Sequence, residues 1–322
     1  MLPLSAIYEP VQEDLNSVED RLRSMSQVPD KHLSELLDHS LKAGGKRVRP
    51  ILTLLSGKFY NYNRDALLSM AVAVELLHTA TLVHDDTIDK SAVRRGLPTV
   101  NAIWGEDKAV LLGDYLFARA GEYCANTGVV LVTKLFAQTL ATISSGELRQ
   151  SFDAFRLEQT REQYLARITA KTASLFVLST ESGSVLSQAP ESAVAILKEY
   201  GHNLGIAFQI VDDVLDFVGN EEELGKPVGS DLAQGTLTLP AMLLLERYPE
   251  DNPVKRFFQD PTSTEDMRQA VEWVGNSSVV EECYEIAEGY SAAACRNLNQ
   301  LPDNTSRRAL LALAAYVIKR KE

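Results

Sequence analysis

No part of the 322-residue chain reads as a boundary. There is no Pro/Gly/Ser-rich linker, no low-complexity run and no repeat of about 20 to 50 residues, so a single domain over 1–322 is expected. Cysteine is nearly absent. Cys124, Cys283 and Cys295 make an odd count without C-x-x-C spacing, which argues against a disulfide framework and for free thiols in a reducing compartment. The opening residues, MLPLSAIYEPVQEDL, lack the basic segment and apolar stretch of a signal peptide. No wholly apolar run approaches the ~18 residues of a membrane span, and the cytoplasm is the expected location. Basic residues are outnumbered 32 to 44, and a net charge of −12 argues against nonspecific nucleic-acid binding. The same charge would repel an anionic substrate unless clustered carboxylates recruit divalent cations to meet it.

What the chain has in abundance is helical periodicity. Apolar residues recur with period 3.6 through about 8–26, 30–42, 47–60, 64–90, 107–126, 128–156, 160–188, 191–219, 236–249, 264–274, 278–300 and 303–321. β-Branched alternation is scarce, and no Asn-Gly or Asp-Gly hairpin signal is present. Segments 64–90 and 191–219 are long and apolar on most faces, as central helices are. The expected fold is all-α, a single-domain bundle of about ten or more helices around a central apolar cavity. A chain of this length buries enough core to need neither disulfides nor a structural metal.

Two aspartate clusters interrupt this apolar pattern. His84-Asp85-Asp86-Thr87-Ile88-Asp89 closes segment 64–90, and Asp85 and Asp89, four apart, share one helical face. His78 lies on that face two turns earlier. Asp212-Asp213-Val214-Leu215-Asp216 repeats the D-D-x-x-D spacing after Phe208-Gln209-Ile210-Val211. Like charges at this spacing destabilise a helix by a few tenths of a kcal/mol, and at a C-terminal end they also oppose the macrodipole. A divalent cation is the natural compensation. Mg²⁺ prefers one or two carboxylates with water and phosphate oxygens, so two facing clusters suit a bridged diphosphate.

Cations that match an anion are also present. Lys42-Ala43-Gly44-Gly45-Lys46-Arg47-Val48-Arg49-Pro50 is a basic turn opening a helix, with glycines that allow close backbone approach. Lys46 and Arg49 offer donors for phosphate, and Arg94-Arg95-Gly96 follows the first aspartate cluster.

In order, the chain carries G-G-K-R-x-R-P, D-D-x-x-D with R-R-G, K-T, F-Q-x-x-D-D-x-x-D and G-K-P-x-G-S-D-L, over about residues 44–240. This set resembles the trans-prenyl diphosphate synthase family, of isoprenoid-synthase fold. The resemblance implies a prenyltransferase and a homodimer. It implies that Lys46, Arg49, His78 and Arg95 bind isopentenyl diphosphate, and that Arg94, Lys171, Thr172, Gln209 and Lys226 hold an allylic prenyl diphosphate. Asp85, Asp89 and Asp212 would ligate Mg²⁺, three ions with substrate bound, with Asp86, Asp213 and Asp216 in support. Catalysis would fall to Asp85, Asp89, Asp212, Lys171 and Arg94, and a membrane would be met only loosely, through the product. One departure stands out: short-product members often carry lysine where this chain has Thr236.

Product length should depend on the helix below the first aspartates. The residues five and four before Asp85 are Ala80 and Thr81. Aromatic residues there form the floor of short-product members, and Ala80 leaves that space open. Leu77 and Ala73 follow, each about one 5.4 Å turn deeper. The expectation is a hexaprenyl-to-decaprenyl product, with a geranylgeranyl or farnesyl diphosphate synthase as the alternative. Two readings from other classes fit less of the sequence. Glu75-x-x-His78 and Glu199-x-x-His202 would suit a di-iron carboxylate bundle, which leaves both aspartate clusters unexplained. A non-catalytic regulatory subunit would be expected to lack one cluster, and both are present.

Overall fold

The computed structural model describes residues 7–42, 45–219 and 227–320. They form α1 (Gln12–Ser24), α2 (Lys31–Lys42), α3 (Val48–Gly57) and α4 (Arg64–Ile88). A two-stranded ribbon, β1 (Val93–Arg94) and β2 (Leu97–Pro98), follows, then α5 (Val100–Trp104), α6 (Glu106–Ala125) and α7 (Val130–Phe152). α8 (Arg161–Ile168) passes through a π-helical turn, Thr169–Ala173, into α9 (Ser174–Leu186), and α10 (Glu191–Val218) comes next. The rest comprises α11 (Ser230–Ala233), α12 (Leu239–Arg247), α13 (Pro253–Gln259), α14 (Thr264–Gly275), α15 (Val279–Cys295) and α16 (Thr305–Lys319). The all-α expectation holds.

α4 and α10 are the two central helices, as their composition predicts. By length and hydropathy α4 could cross a membrane, yet 83% of its apolar window is buried inside the protein, as in a core helix. It lies against α6 and α9. α10 packs on α9 and α15 and takes part in two apolar cores. Leu197, Tyr200, Leu204 and Ala207 belong to the core shared with α3, α4 and α6, while Ile210, Val211, Val214 and Phe217 belong to the one shared with α12–α15.

Three departures from the expected pattern matter. Segment 160–188 is not one continuous helix, because the π turn widens it at Lys171 and Thr172. Two glycines make room for this turn. A Cβ on Gly146 of α7 would stand 2.8 Å from the Ala170 Cβ, and one on Gly205 of α10 would stand 2.6 Å from the Ala173 Cα. The second departure is the ribbon, whose turn residues Arg95 and Gly96 have φ of 52° and 74°, the left-handed pair that a tight hairpin requires. Here arginine occupies the position that asparagine or aspartate usually marks, so the hairpin signal is missing from the sequence. The third is α13, begun by Asn252, whose side chain accepts from the Val254 N–H at 2.9 Å, with Pro253 in the first turn.

Candidate active site

The two aspartate motifs line one small cavity of about 100 Å³, with Asp89 on one side and Asp213 on the other, and Lys171, Thr172, Gln209 and Thr236 between them. The cations and hydrogen bonds around them divide the six aspartates into two kinds.

At the end of α4, Asp85 and Asp89 are half-buried. The Lys171 ammonium, projected by the π turn, lies 3.5 Å from Asp85 Oδ2 and 2.8 Å from Glu147 Oε1 of α7. Burial weakens this ammonium as an acid-base pair, but Asp85 and Glu147 outweigh it, and its pKa is raised. Asp89 moves up to about 6, through burial and through the repulsion of Asp85 and Glu147, despite Lys171. Asp86 faces inward instead and accepts from Arg94 Nε at 2.7 Å. The ribbon thus ties Arg94 to the motif that precedes it.

On α10, Asp213 and Asp216 are buried and Asp212 is 40% exposed. Asp213 accepts from the Tyr164 hydroxyl and the Gln209 amide, each at 2.7 Å, and Gln209 accepts in turn from Thr172 at 2.5 Å. Asp216 accepts from the Ser230 hydroxyl at 2.7 Å and the Asp231 N–H at 3.1 Å. Arg320, just beyond α16, pairs with Asp212 at 2.7 Å. Identical spacing therefore gives unequal burial: Asp86, Asp213 and Asp216 are buried, whereas Asp85, Asp89 and Asp212 are partly exposed.

The basic turn stands at the other side of α4. Arg47, with φ of 49°, bridges Glu19 at 2.5 Å and Glu75 at 2.6 Å, and so anchors the turn. Arg49 lies 5.2 Å from the Phe176 ring centroid; burial outweighs the pull of Glu75 and Asp212 and lowers its pKa to about 10. The Arg95 guanidinium packs on Gly45, where a Cβ would stand 2.8 Å from it. Burial, reinforced by Arg49, Arg95, Arg94 and Arg47, pushes the His78 imidazole well below its usual range. His78 is thus neutral and offers a hydrogen bond rather than a charge. The Lys46 carbonyl accepts from the Tyr8 hydroxyl at 2.9 Å. Lys226, and Gly44 of the turn, lie outside the described residues.

Several residues of the site carry no signal of their own in the sequence. Glu147 and Tyr164 reach it from α7 and α8, and Arg320 comes from 108 positions beyond its partner. Ser230 and Asp231 stand inside G-K-P-x-G-S-D-L, where their part in clamping Asp216 is legible only in three dimensions. Arg167 also lines the small cavity, near Thr236, and supplies a cation on the wall where short-product members often have lysine.

The carboxylates suit magnesium. Among the described residues no three of His, Cys, Asp and Glu converge into a closed cage. The partly exposed Asp85, Asp89 and Asp212 would leave most of the coordination to water and phosphate, as Mg²⁺ prefers. Of the two Glu-x-x-His pairs that a di-iron centre would use, Glu75 is engaged by Arg47 and Glu199 by Asn297.

Helices that set two D-D-x-x-D motifs across a common cavity, with lysine and arginine beside them, define an isoprenoid-synthase fold equipped to hold a diphosphate. The chain belongs to the polyprenyl synthetase family, whose sequence model matches residues 30–274, and it is a prenyltransferase. It is 39% identical to heptaprenyl diphosphate synthase component 2 of Geobacillus stearothermophilus, over 99% of both chains. The polyprenyl synthase of Caulobacter crescentus, solved with calcium and isoprenyl diphosphate, superposes with a TM-score of 0.94 at 34% identity, covering 99% of this chain and 98% of that one. A decaprenyl diphosphate synthase from Rhodobacter capsulatus gives 0.91 at 36% identity, covering 99% and 100%.

Burial of Asp213 has a measurable consequence. Its pKa is raised to about 7, chiefly by desolvation and then by Asp231, against the lowering effect of Gln209 and Tyr164. The native protein therefore keeps a proton that the unfolded chain gives up near pH 4, and the stability this group contributes is lost as pH rises from about 4 to about 7. Metal-free protein should melt at progressively lower temperature across that window. Asp213→Asn should flatten the slope by about one proton; equal slopes in the two proteins would refute the buried-acid account.

Proposed function

We propose that the chain is the catalytic subunit of a Mg²⁺-dependent trans-polyprenyl diphosphate synthase. It adds isopentenyl diphosphate repeatedly to an allylic diphosphate, giving a product of about six to ten isoprene units. One observation carries this reading: Lys171 bridges Asp85 and Glu147 at the cavity whose other wall is the second aspartate motif. A lysine held between carboxylates is ready to take up negative charge once cations occupy those carboxylates.

The allylic diphosphate binds across the two motifs, with its oxygens toward Lys171, Arg94, Thr172 and Gln209. Bound Mg²⁺ supplies Lewis-acid stabilisation of the departing diphosphate through Asp85, Asp89 and Asp212. Lys171 and Arg94 add fixed positive charge where negative charge develops. The basic turn orients isopentenyl diphosphate through Lys46, Arg49, Arg95 and neutral His78, so that its double bond faces the allylic carbon. As the allylic C–O bond breaks, the new C–C bond forms, and a proton leaves the resulting cation. Its acceptor is the released diphosphate. Apolar walls keep water from the cation.

The wall below Asp85 supports a long product. Ala80, Leu77 and Ala73 are fully buried in the core, and Thr81 turns its hydroxyl back to the His78 carbonyl at 2.7 Å. α7 packs on α6 and α9, as α4 does, and its inward stripe is Ile143, Phe136 and Val132. The relatives named for heptaprenyl and decaprenyl products are in keeping with a long product.

A homodimer is the proposed assembly. α7 buries only Val132, Phe136 and Ile143, and leaves Val130, Leu131, Leu148 and Phe152 exposed; on α6, Val110 and Leu111 are exposed as well. Such faces are usually covered by a partner.

Three experiments test these points. Purified chain with Mg²⁺, isopentenyl diphosphate and farnesyl or geranylgeranyl diphosphate should yield products in the stated range, and chelation should stop it. Absence of elongation with every primer would overturn the enzyme reading, and activity appearing only with a second protein would make it one component of a larger enzyme. Ala80→Phe should shorten the product by two or more units while the first condensation proceeds within a few-fold of the parent rate; an unchanged product length would sink the open-floor argument. Light scattering should give twice the 35.5 kDa chain mass, and Leu148→Asp should shift it toward monomer. A monomeric parent protein would exclude the dimer.

A further inference from the structure

Asp212 differs from the other outward aspartates in its partner. Asp85 shares a lysine with Glu147, but Asp212 has a guanidinium to itself: Arg320 Nη2 lies 2.7 Å from Asp212 Oδ1. That arginine is set in place by more than charge. Its side chain is 3% exposed, its guanidinium carbon lies 3.7 Å from the Phe208 ring centroid, and Nη2 also donates to the Phe208 carbonyl at 2.6 Å. Its backbone N–H closes α16 on the Tyr316 carbonyl at 3.1 Å, and its Nε is buried without a hydrogen-bond partner. Phe208 and Asp212 are one turn apart on α10, so Arg320 caps that turn from outside.

We propose that Arg320 is the resident counter-cation of the second aspartate motif, and that a divalent cation takes the Asp212 carboxylate by displacing it. A metal ion on Asp212 would bring positive charge within a few ångströms of the Arg320 guanidinium, so the two compete for the carboxylate. Displacement leaves Arg320 its contact with the Phe208 ring and frees the Nη2 donor on the side of the site where Arg49 stands. Metal capture and the end of α16 then form one coupled equilibrium, and the coupling is reciprocal. Arg320 is a positioning residue in this scheme. The inference rests on the reading of Asp212 as a metal ligand.

The test is binding of Mn²⁺ to substrate-free protein, followed by the paramagnetic resonance signal of the free ion. Arg320→Gln should bind Mn²⁺ at the Asp212 site about tenfold more tightly than the parent, and Arg320→Lys should fall between. Lys319→Gln, which removes the same charge from the exposed neighbour, should stay within about twofold of the parent. In an Asp212→Asn background, Arg320→Gln should have no effect. In the parent protein, Mn²⁺ should also speed hydrogen exchange of the Arg320 amide, a change that a purely structural arginine would not show. The proposal is overturned if Arg320→Gln binds as the parent does, binds more weakly, or keeps its gain without Asp212. If Asp212→Asn leaves Mn²⁺ binding unchanged, the metal reading of Asp212 fails first, and the coupling with it. Melting curves in chelator establish that each variant is folded.

Discussion

Everything at this site follows from holding six aspartates at the ends of two buried helices. The first group sits at the C-terminal end of α4, where the helix dipole already adds negative charge, and the second near the end of α10. Glu147 joins the first group from α7. Without metal, this charge is balanced by cations drawn from separate parts of the chain: Lys171 from the π turn, Arg94 from the ribbon and Arg320 from beyond α16. Burial, with a lesser part from neighbouring carboxylates, still raises the pKa values of Asp89 and Asp213. A site in that state favours any ligand that brings positive charge with it.

The two irregularities of the backbone serve this constraint. A regular helix through 169–173 would present Lys171 differently, and the π turn that presents it fits only because Gly146 and Gly205 let its backbone approach. The ribbon reverses the chain within two residues after the first motif, so Arg94 returns to Asp86 while Arg95 reaches Gly45. Departures from regular geometry concentrate where the chemistry is, and regular helices elsewhere supply the rigid frame.

The inward aspartates are as informative as the outward ones. Tyr164 on Asp213, Thr172 on Gln209, and Ser230 and the Asp231 N–H on Asp216 fix the rotation of α10 about its axis. That rotation leaves Asp212 partly exposed. On the cationic side Arg47 does the equivalent work: pinned to Glu19 and Glu75, it holds the turn from which Arg49 extends. In each case a buried polar contact orients a neighbour that faces the ligand.

Much of this was legible in the sequence, because helical period and motif spacing are local properties. The long apolar patterns of α4 and α10, the doubled D-D-x-x-D, and the basic pairs before and after the first motif required no knowledge of the fold. The hairpin at Arg95-Gly96 was hidden because arginine replaced the usual turn residue, and the π turn because adding one residue to a helical turn barely disturbs the apolar period. Glu147, Tyr164 and Arg320 were hidden for a different reason. Each reads as an ordinary residue on an amphipathic helix until distant segments are brought within a few ångströms. The sequence by itself determined which residues could bind metal and diphosphate, since that depends on chemical type and spacing. The tertiary structure alone decided which aspartates are buried and which cations pair with them, since those depend on how α10 is turned and on which chain segments pack beside it.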